Sequence, residues 1–165
     1  MGVSGCGKST VGEAISKHMD AAFIEGDTFH PRSNIQKMSA GIPLTDADRQ
    51  GWLERLAQET LDRLATAQSV VLTCSALKQR YRDVLRHAIP NLGFVFLELT
   101  VEEAIQRVTR RPGHFMPASL VESQFRDLQP PRGEPLVLTI AATRRIDDVI
   151  DEAVRWWRNL GACRT

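Results

Sequence analysis

The sequence predicts an α/β domain built on a doubly wound parallel sheet, and three observations carry that prediction. Gly2-Val3-Ser4-Gly5-Cys6-Gly7-Lys8-Ser9 fits G-x-x-x-x-G-K-[ST] at every fixed position. Short apolar runs rich in β-formers alternate with longer stretches at helical spacing, as in a parallel sheet with crossover helices. A chain of 165 residues suits one domain with a full core, and no repeat, low-complexity tract or linker divides it. The expectation is therefore a single P-loop NTPase-type domain over residues 1–165.

The motif explains itself chemically. Glycines permit backbone conformations that a β-carbon forbids, so successive N–H groups turn inward around a phosphate. Lys8 adds a cationic donor for the β- and γ-phosphates, and the Ser9 hydroxyl is placed to ligate Mg²⁺. Helix formers run from Thr10 to Met19, and the N-terminal dipole of that helix also favours an anion. The predicted nucleotide site is Gly2, Ser4, Gly5, Cys6, Gly7, Lys8, Ser9 and Thr10, with ATP and Mg²⁺ as cofactors and Ser9 as the metal ligand.

Further elements follow in order. Residues 21–25 read as a short strand ending in Gly26-Asp27, and 31–40 as a helix with Pro at its start, broken by Gly41-Ile42-Pro43. Thr45 or Asp46 caps a helix carrying Trp52, Leu53, Leu56, Leu61 and Leu64. Strands are expected at 69–73, 93–99 and 136–140, and helices at 79–87, 101–110, 117–128 and 147–160. A P-loop follows a buried strand, yet only Met1 precedes Gly2. The sheet's central strand is thus absent from this sequence. The expectation is a start further upstream, with about eight mostly β-branched, apolar residues completing a five-stranded sheet.

Composition narrows the partners. Net charge is +1 with acids and bases interspersed, so no basic field advertises nucleic acid. No apolar run approaches the ~18–20 residues of a membrane span. The three cysteines, Cys6, Cys74 and Cys163, lack CxxC spacing and cannot all pair, which fits a reducing cytoplasm. The four histidines lack metal-ligand spacing.

Ligands of such sheets gather at the carboxyl ends of the strands, which selects three segments. Residues 25–38 pack two acids with His30, Arg32, Asn34 and Lys37, a mixture suited to a substrate with hydroxyls and a carboxylate. Asp27 is placed to accept a hydroxyl proton or to hold that hydroxyl in line with the γ-phosphate. The second segment is Cys74-Ser75-Ala76-Leu77-Lys78, then Tyr81, Arg82 and Arg86; it lacks the acid that often ends this strand. Arg82 and Arg86 share a helix face and suit anionic groups, Arg82 ranking first. Cys74 reads as a small buried residue. In the third, Arg107 and Arg111 flank Pro112-Gly113 within a lid of about 107–128, where arginine supplies charge to the phosphoryl group in transit.

Taken together, GVSGCGKST, EGDTFHPRSNIQKMSAGIPLTDADRQGWL, CSALKQRYRDVLR and RRPGHFMPASLVESQF resemble the bacterial gluconokinases of the shikimate-kinase-like P-loop family. His30-Pro31, Asn34, Lys37-Met38, Gly41, Pro43-Leu44 and Asp46-x-Asp48-Arg49 carry the specificity of the match. The resemblance implies ATP-dependent phosphorylation of D-gluconate at its 6-hydroxyl, by a cytoplasmic homodimer. It implies catalytic roles for Lys8, Asp27, Arg107 and Arg111. Substrate contacts would fall on Asp27, His30, Arg32, Asn34, Lys37, Lys78, Arg82, His114 and Gln124. Two departures stand out. Gly51 replaces a usual Pro and is expected to loosen its helix start, and Cys6 replaces a usual Ser, exposing a thiol to oxidants. Alternatives are a kinase of another small metabolite, such as shikimate or a nucleoside monophosphate, or a nucleotide-binding paralogue without turnover.

Overall fold

A computed structural model describes residues 1–110 and 118–162. The chain enters through the P-loop into helix α1 (Lys8–Met19), followed by strand β1 (Ala22–Glu25) and a 3₁₀ turn, Gly26–Phe29. Helices α2 (Arg32–Ser39) and α3 (Asp46–Leu64) lead to β2 (Val70–Thr73) and α4 (Gln79–Ala88). Then come β3 (Phe94–Glu98), α5 (Val101–Thr109), α6 (Ala118–Asp127), β4 (Val137–Ala141) and α7 (Ile146–Ala162). Most predicted elements fall within a residue or two of these bounds. The 3₁₀ turn has no apolar period and was not foreseen.

The strands pair in parallel, β1 with β2 (Ile24 opposite Leu72) and β3 with β4 (Phe96 opposite Thr139). Apolar helix faces cover both sides, as a doubly wound sheet requires. One core gathers Val11, Ile15, Leu97, Val108, Val121, Ile140, Val149 and Val154; the other packs Trp52, Leu53, Leu56, Tyr81, Leu85 and Phe94. Helix α3 starts at a capped first turn. The Thr45 hydroxyl accepts from the Asp48 N–H while the Asp48 carboxylate accepts from the Thr45 N–H, a closed capping box. That box satisfies orphan donors of the first turn, five residues before Gly51.

Two sheets of two strands stand where a single five-stranded sheet is expected. Among the described residues, Met1 and Gly2 bridge them by backbone hydrogen bonds. The Met1 amine donates to Val95 O at 2.6 Å, Leu97 N–H donates to Met1 O at 3.0 Å, and Gly2 N–H donates to Ser75 O at 3.2 Å. Beyond Met1 runs an apolar cavity of about 290 Å³ lined by Val71, Thr73, Phe94, Val95, Leu97 and Trp157 among others. Burial at its end pushes the Met1 amine down to about 6. A strand of ~5–6 residues would satisfy the backbone edges of β2 and β3 and fill this channel. Joining about six β-branched, apolar residues ahead of Met1 is therefore expected to raise the Tm by more than about 5 °C, since each buried side chain contributes roughly 1.5–3 kcal/mol. Equal melting temperatures would show that the channel does not take a strand.

Arg82 holds the far side together. It is 0% exposed, and its guanidinium donates to Ala76 O (2.9 Å), Leu77 O (3.0 Å), Gln129 O (2.9 Å) and the Glu134 carboxylate. Arg86 also reaches Glu134, at 2.7 Å. Hydrogen bonds from Arg82, then from Arg86, hold the Glu134 carboxyl below its ordinary range against the opposing effect of burial. The triplet's contribution is thus complete above the ordinary carboxylate range and is lost as pH falls from that range through the lowered native value. Removing one partner of a buried pair costs about 3–5 kcal/mol, so Arg82→Met should shift the urea midpoint strongly at unchanged slope. A loss below about 1 kcal/mol would contradict this role.

Candidate active site

The P-loop takes the shape its glycines allow. Gly5 and Gly7 have φ of 84° and 92°, a left-handed region closed to most residues, and Gly7 caps α1. Lys8 folds back across the loop, its Nζ donating to Val3 O at 3.0 Å. Ser9 and Thr10 lie exposed in the first turn of α1, with their hydroxyls at the positive end of the helix. The Cys6 side chain turns inward and is only 2% exposed. This corrects the expected sensitivity to oxidants, which needs an accessible thiol.

At the end of β1 the backbone passes too close to β2 for any side chain. A Cβ at Gly26 would lie 2.1 Å from Thr73 O. Thr73 Oγ1 accepts from Gly26 N–H at 3.2 Å, and Trp52 Nε1 donates to Gly26 O at 2.9 Å, so the turn is pinned from two sides. Asp27 follows and is exposed on the rim. Burial pushes the Cys74 thiol, just past β2, up to about 11, and the charges of both Asp27 and Lys8 reach it. The P-loop and the Asp27 turn are both fastened at the carboxyl end of β2, Gly2 N–H donating to Ser75 O and Gly26 N–H to Thr73 Oγ1. Glu25 is engaged instead with Thr73, whose hydroxyl donates to Glu25 Oε1 at 2.5 Å.

Behind Asp27, His30 is buried and stacks on Trp52 with ring centroids 4.1 Å apart. Burial lowers its pKa to about 4; Asp27 opposes that shift and Arg49 reinforces it. The imidazole is thus neutral at physiological pH. Asn34 Nδ2 lies 3.4 Å from His30 Nδ1 and donates to Asp48 O at 2.8 Å, tying α2 to α3. Lys37 pairs with Asp48 at 2.6 Å, which, with the capping bonds from Thr45, holds that carboxyl at about 2. Arg32 is exposed.

Lys78 bridges two carboxylates, Asp46 at 2.9 Å on α3 and Asp127 at 3.0 Å on α6. Tyr81 and Arg80 also contact Asp46. Gln124 brackets the P-loop: its Oε1 accepts from Ser4 N–H at 2.7 Å and its Nε2 donates to Ser4 Oγ at 3.0 Å. Arg107 donates to Ala142 O at 2.8 Å, with its Cβ beside Gly5. Arg111 and His114 lie outside the described residues. The structure thus packs His30, Asn34 and Lys37 against α3 and ties both the Asp27 turn and the P-loop to the end of β2. Arg82 is the exception, and the expectation that it meets substrate is corrected, because its donors are turned into the fold. Arg49, conspicuous in the sequence only as part of Asp46-x-Asp48-Arg49, emerges as a buried cation beside the Tyr81 ring.

The chain matches the family profile described as shikimate kinase over residues 4–141. It is 44% identical over 134 residues to the thermosensitive gluconokinase of Escherichia coli, covering 81% of this chain and 72% of that one. With the gluconokinase of Gluconobacter oxydans it shares 41% identity over 155 residues, covering 94% and 87%. The crystal structure of a gluconokinase from Sinorhizobium meliloti superposes with a TM-score of 0.87 at 46% identity, covering 97% and 90%. An APS kinase of Mycobacterium tuberculosis, at 19% identity and a TM-score of 0.66, shares the fold.

Proposed function

The chain belongs to the gluconokinases of the shikimate kinase family, and we propose from that premise that it transfers the γ-phosphoryl group of ATP to the 6-hydroxyl of D-gluconate. The single observation that supports the reading beyond kinship is that the Lys8 loop and the Asp27 turn are fastened to the same end of β2, through Gly2 N–H to Ser75 O and Gly26 N–H to Thr73 Oγ1.

In the proposed reaction the hydroxyl oxygen bonds to the γ-phosphorus as the bond to the β–γ bridging oxygen breaks, releasing ADP. Asp27 aligns that hydroxyl and takes its proton. Lys8 and the loop N–H groups balance charge on the phosphates, a stabilisation that needs no reorganisation once the loop is shaped. Arg107 is assigned to the same task from the far side of the P-loop. Mg²⁺ fits the Ser9 hydroxyl, which is exposed at the start of α1; when bound, it neutralises phosphate charge. Among the described residues no group of three His, Cys, Asp or Glu is able to hold a metal, so the ion is expected to arrive with the nucleotide.

Homodimeric assembly and a cytoplasmic location belong to the same proposal. Among the described residues no helix is long and apolar enough to cross a membrane. An ADP-coupled assay with gluconate, shikimate and a nucleoside monophosphate tests the substrate directly. Gluconate should lead in kcat/KM by at least about 100-fold, as a site matched to specific polar groups discriminates. Preference for another acceptor would overturn the proposal, and ATP binding without any turnover would identify an inactive paralogue.

A further inference from the structure

We infer that Thr73 and Trp52 are positioning residues that set where Asp27 stands relative to the phosphate loop, an inference that rests on the role proposed for Asp27. Asp27 is exposed, and among the described residues no hydrogen bond holds its carboxylate, so the backbone of its turn places the acid. Trp52, 2% exposed, grips that turn on both flanks. The indole Nε1–H donates to Gly26 O at 2.9 Å, and the indole face carries the His30 ring at 4.1 Å. His30 N–H in turn donates to Asp27 O at 3.4 Å. One side chain of α3 thus fixes the residue before the acid and the residue three beyond it.

Thr73 supplies the link to the phosphate side. It ends β2 and is 4% exposed. Its hydroxyl accepts from Gly26 N–H at 3.2 Å, and its methyl meets α1, where a Cβ at Gly12 would lie 2.6 Å from Thr73 Cγ2. Gly12 stands one turn beyond Lys8 on the same face of that helix. A Cβ at Gly26 would lie 2.1 Å from Thr73 O. The helix that carries the P-loop lysine and the turn that carries the acid therefore close on one threonine, each through a glycine.

Such spacing bears on rate. Reacting atoms must be held at about 3–3.5 Å, and a misplacement of about 1 Å costs roughly 10²-fold. Thr73 and Trp52 are uncharged and buried, so neither supplies charge to the reaction. Both act through Asp27. Their effect should fall on kcat rather than on the affinity for ATP, and it should fade once the Asp27 charge is gone.

The test is a double-mutant cycle read in kcat with ATP and gluconate. Thr73→Val keeps the methyl on Gly12 and removes the hydroxyl; kcat should drop by roughly 10- to 100-fold at nearly unchanged KM for ATP. Thr73→Ser, which keeps the hydroxyl, should recover most of that loss. Trp52→Phe keeps a ring against His30, loses the N–H and should lower kcat likewise. It spares the bond from Thr73 to Glu25, so agreement between the two variants excludes an effect through Glu25, and either one that folds carries the test. In an Asp27→Asn background each substitution should cost less than about threefold more. Equal factors in both backgrounds, or a kcat within about threefold of the parent in the folded variants, would overturn the inference and leave Asp27 its role. A kcat unchanged by Asp27→Asn alone would overturn that role and the inference with it. Should the unaltered protein fail to phosphorylate gluconate, the gluconokinase reading falls and hydrogen exchange at the His30 N–H decides whether the turn is held as inferred. Either variant should speed that exchange by at least about tenfold relative to the amides of α1, and an unchanged rate would overturn the inference.

Discussion

Lys8→Ala should reduce phosphoryl transfer by at least about 10²–10³, the loss seen when one preorganised donor to a developing charge is removed. The chain's fold should hardly notice. Among the described residues the Lys8 side chain makes one hydrogen bond, to Val3 O, and its loss is expected to lower the Tm by only a few degrees. The separation of the two effects is the informative part. Gly5 and Gly7 shape the loop by backbone conformation, so the anion cradle persists while the cation is gone. Steady-state rates at saturating ATP, paired with thermal melts, check it. Activity within a few-fold of the parent would show that the loop does not serve phosphate in the way proposed.

Asp27→Asn should lower kcat by about 10²–10⁴, the range for a positioned acid–base group, and leave ATP affinity nearly unchanged. The substitution preserves size and one hydrogen-bond acceptor but removes the charge. Asp27 is exposed on a 3₁₀ turn whose geometry is fixed by Gly26, Thr73 and Trp52, none of which contacts the carboxylate through a recorded hydrogen bond. Stability should therefore survive. A kcat close to the parent value would leave Asp27 with no part in the chemistry.

How much of this was legible in the sequence depends on the range of the interaction. The P-loop, the strand–helix alternation and the position of Asp27 at a strand end are local patterns, and the structure places them as read. Arg82 and Arg86 were also read locally, as one helix face, but the partner that decides their role is Glu134, 52 residues beyond Arg82. Nothing in the spacing announces that distance. Gln124 fastens to Ser4 across 120 residues, and Lys78 joins α3 to α6, for the same reason. The capping box at Thr45 and Asp48, by contrast, is a local pattern, with the cap and its N3 acid three residues apart. Arg49 was visible as a letter in a motif; its burial beside the Tyr81 ring is a property of the packed state.

The break between the two pairs of strands was also foreseeable, since a P-loop follows a strand. The structure adds the form of that break: an apolar channel with Met1 already paired at its end. The P-loop springs from this bridge, so rigidity there bears on where Lys8 sits when phosphate arrives.

The most direct measurement is ³¹P and proton NMR of the product formed from ATP, Mg²⁺ and D-gluconate. A single phosphomonoester should appear, its phosphorus coupled to the two C6 methylene protons, in one-to-one yield with ADP. Phosphorus coupled to a single methine proton, or ADP released with only inorganic phosphate beside it, would contradict transfer to the 6-hydroxyl of gluconate.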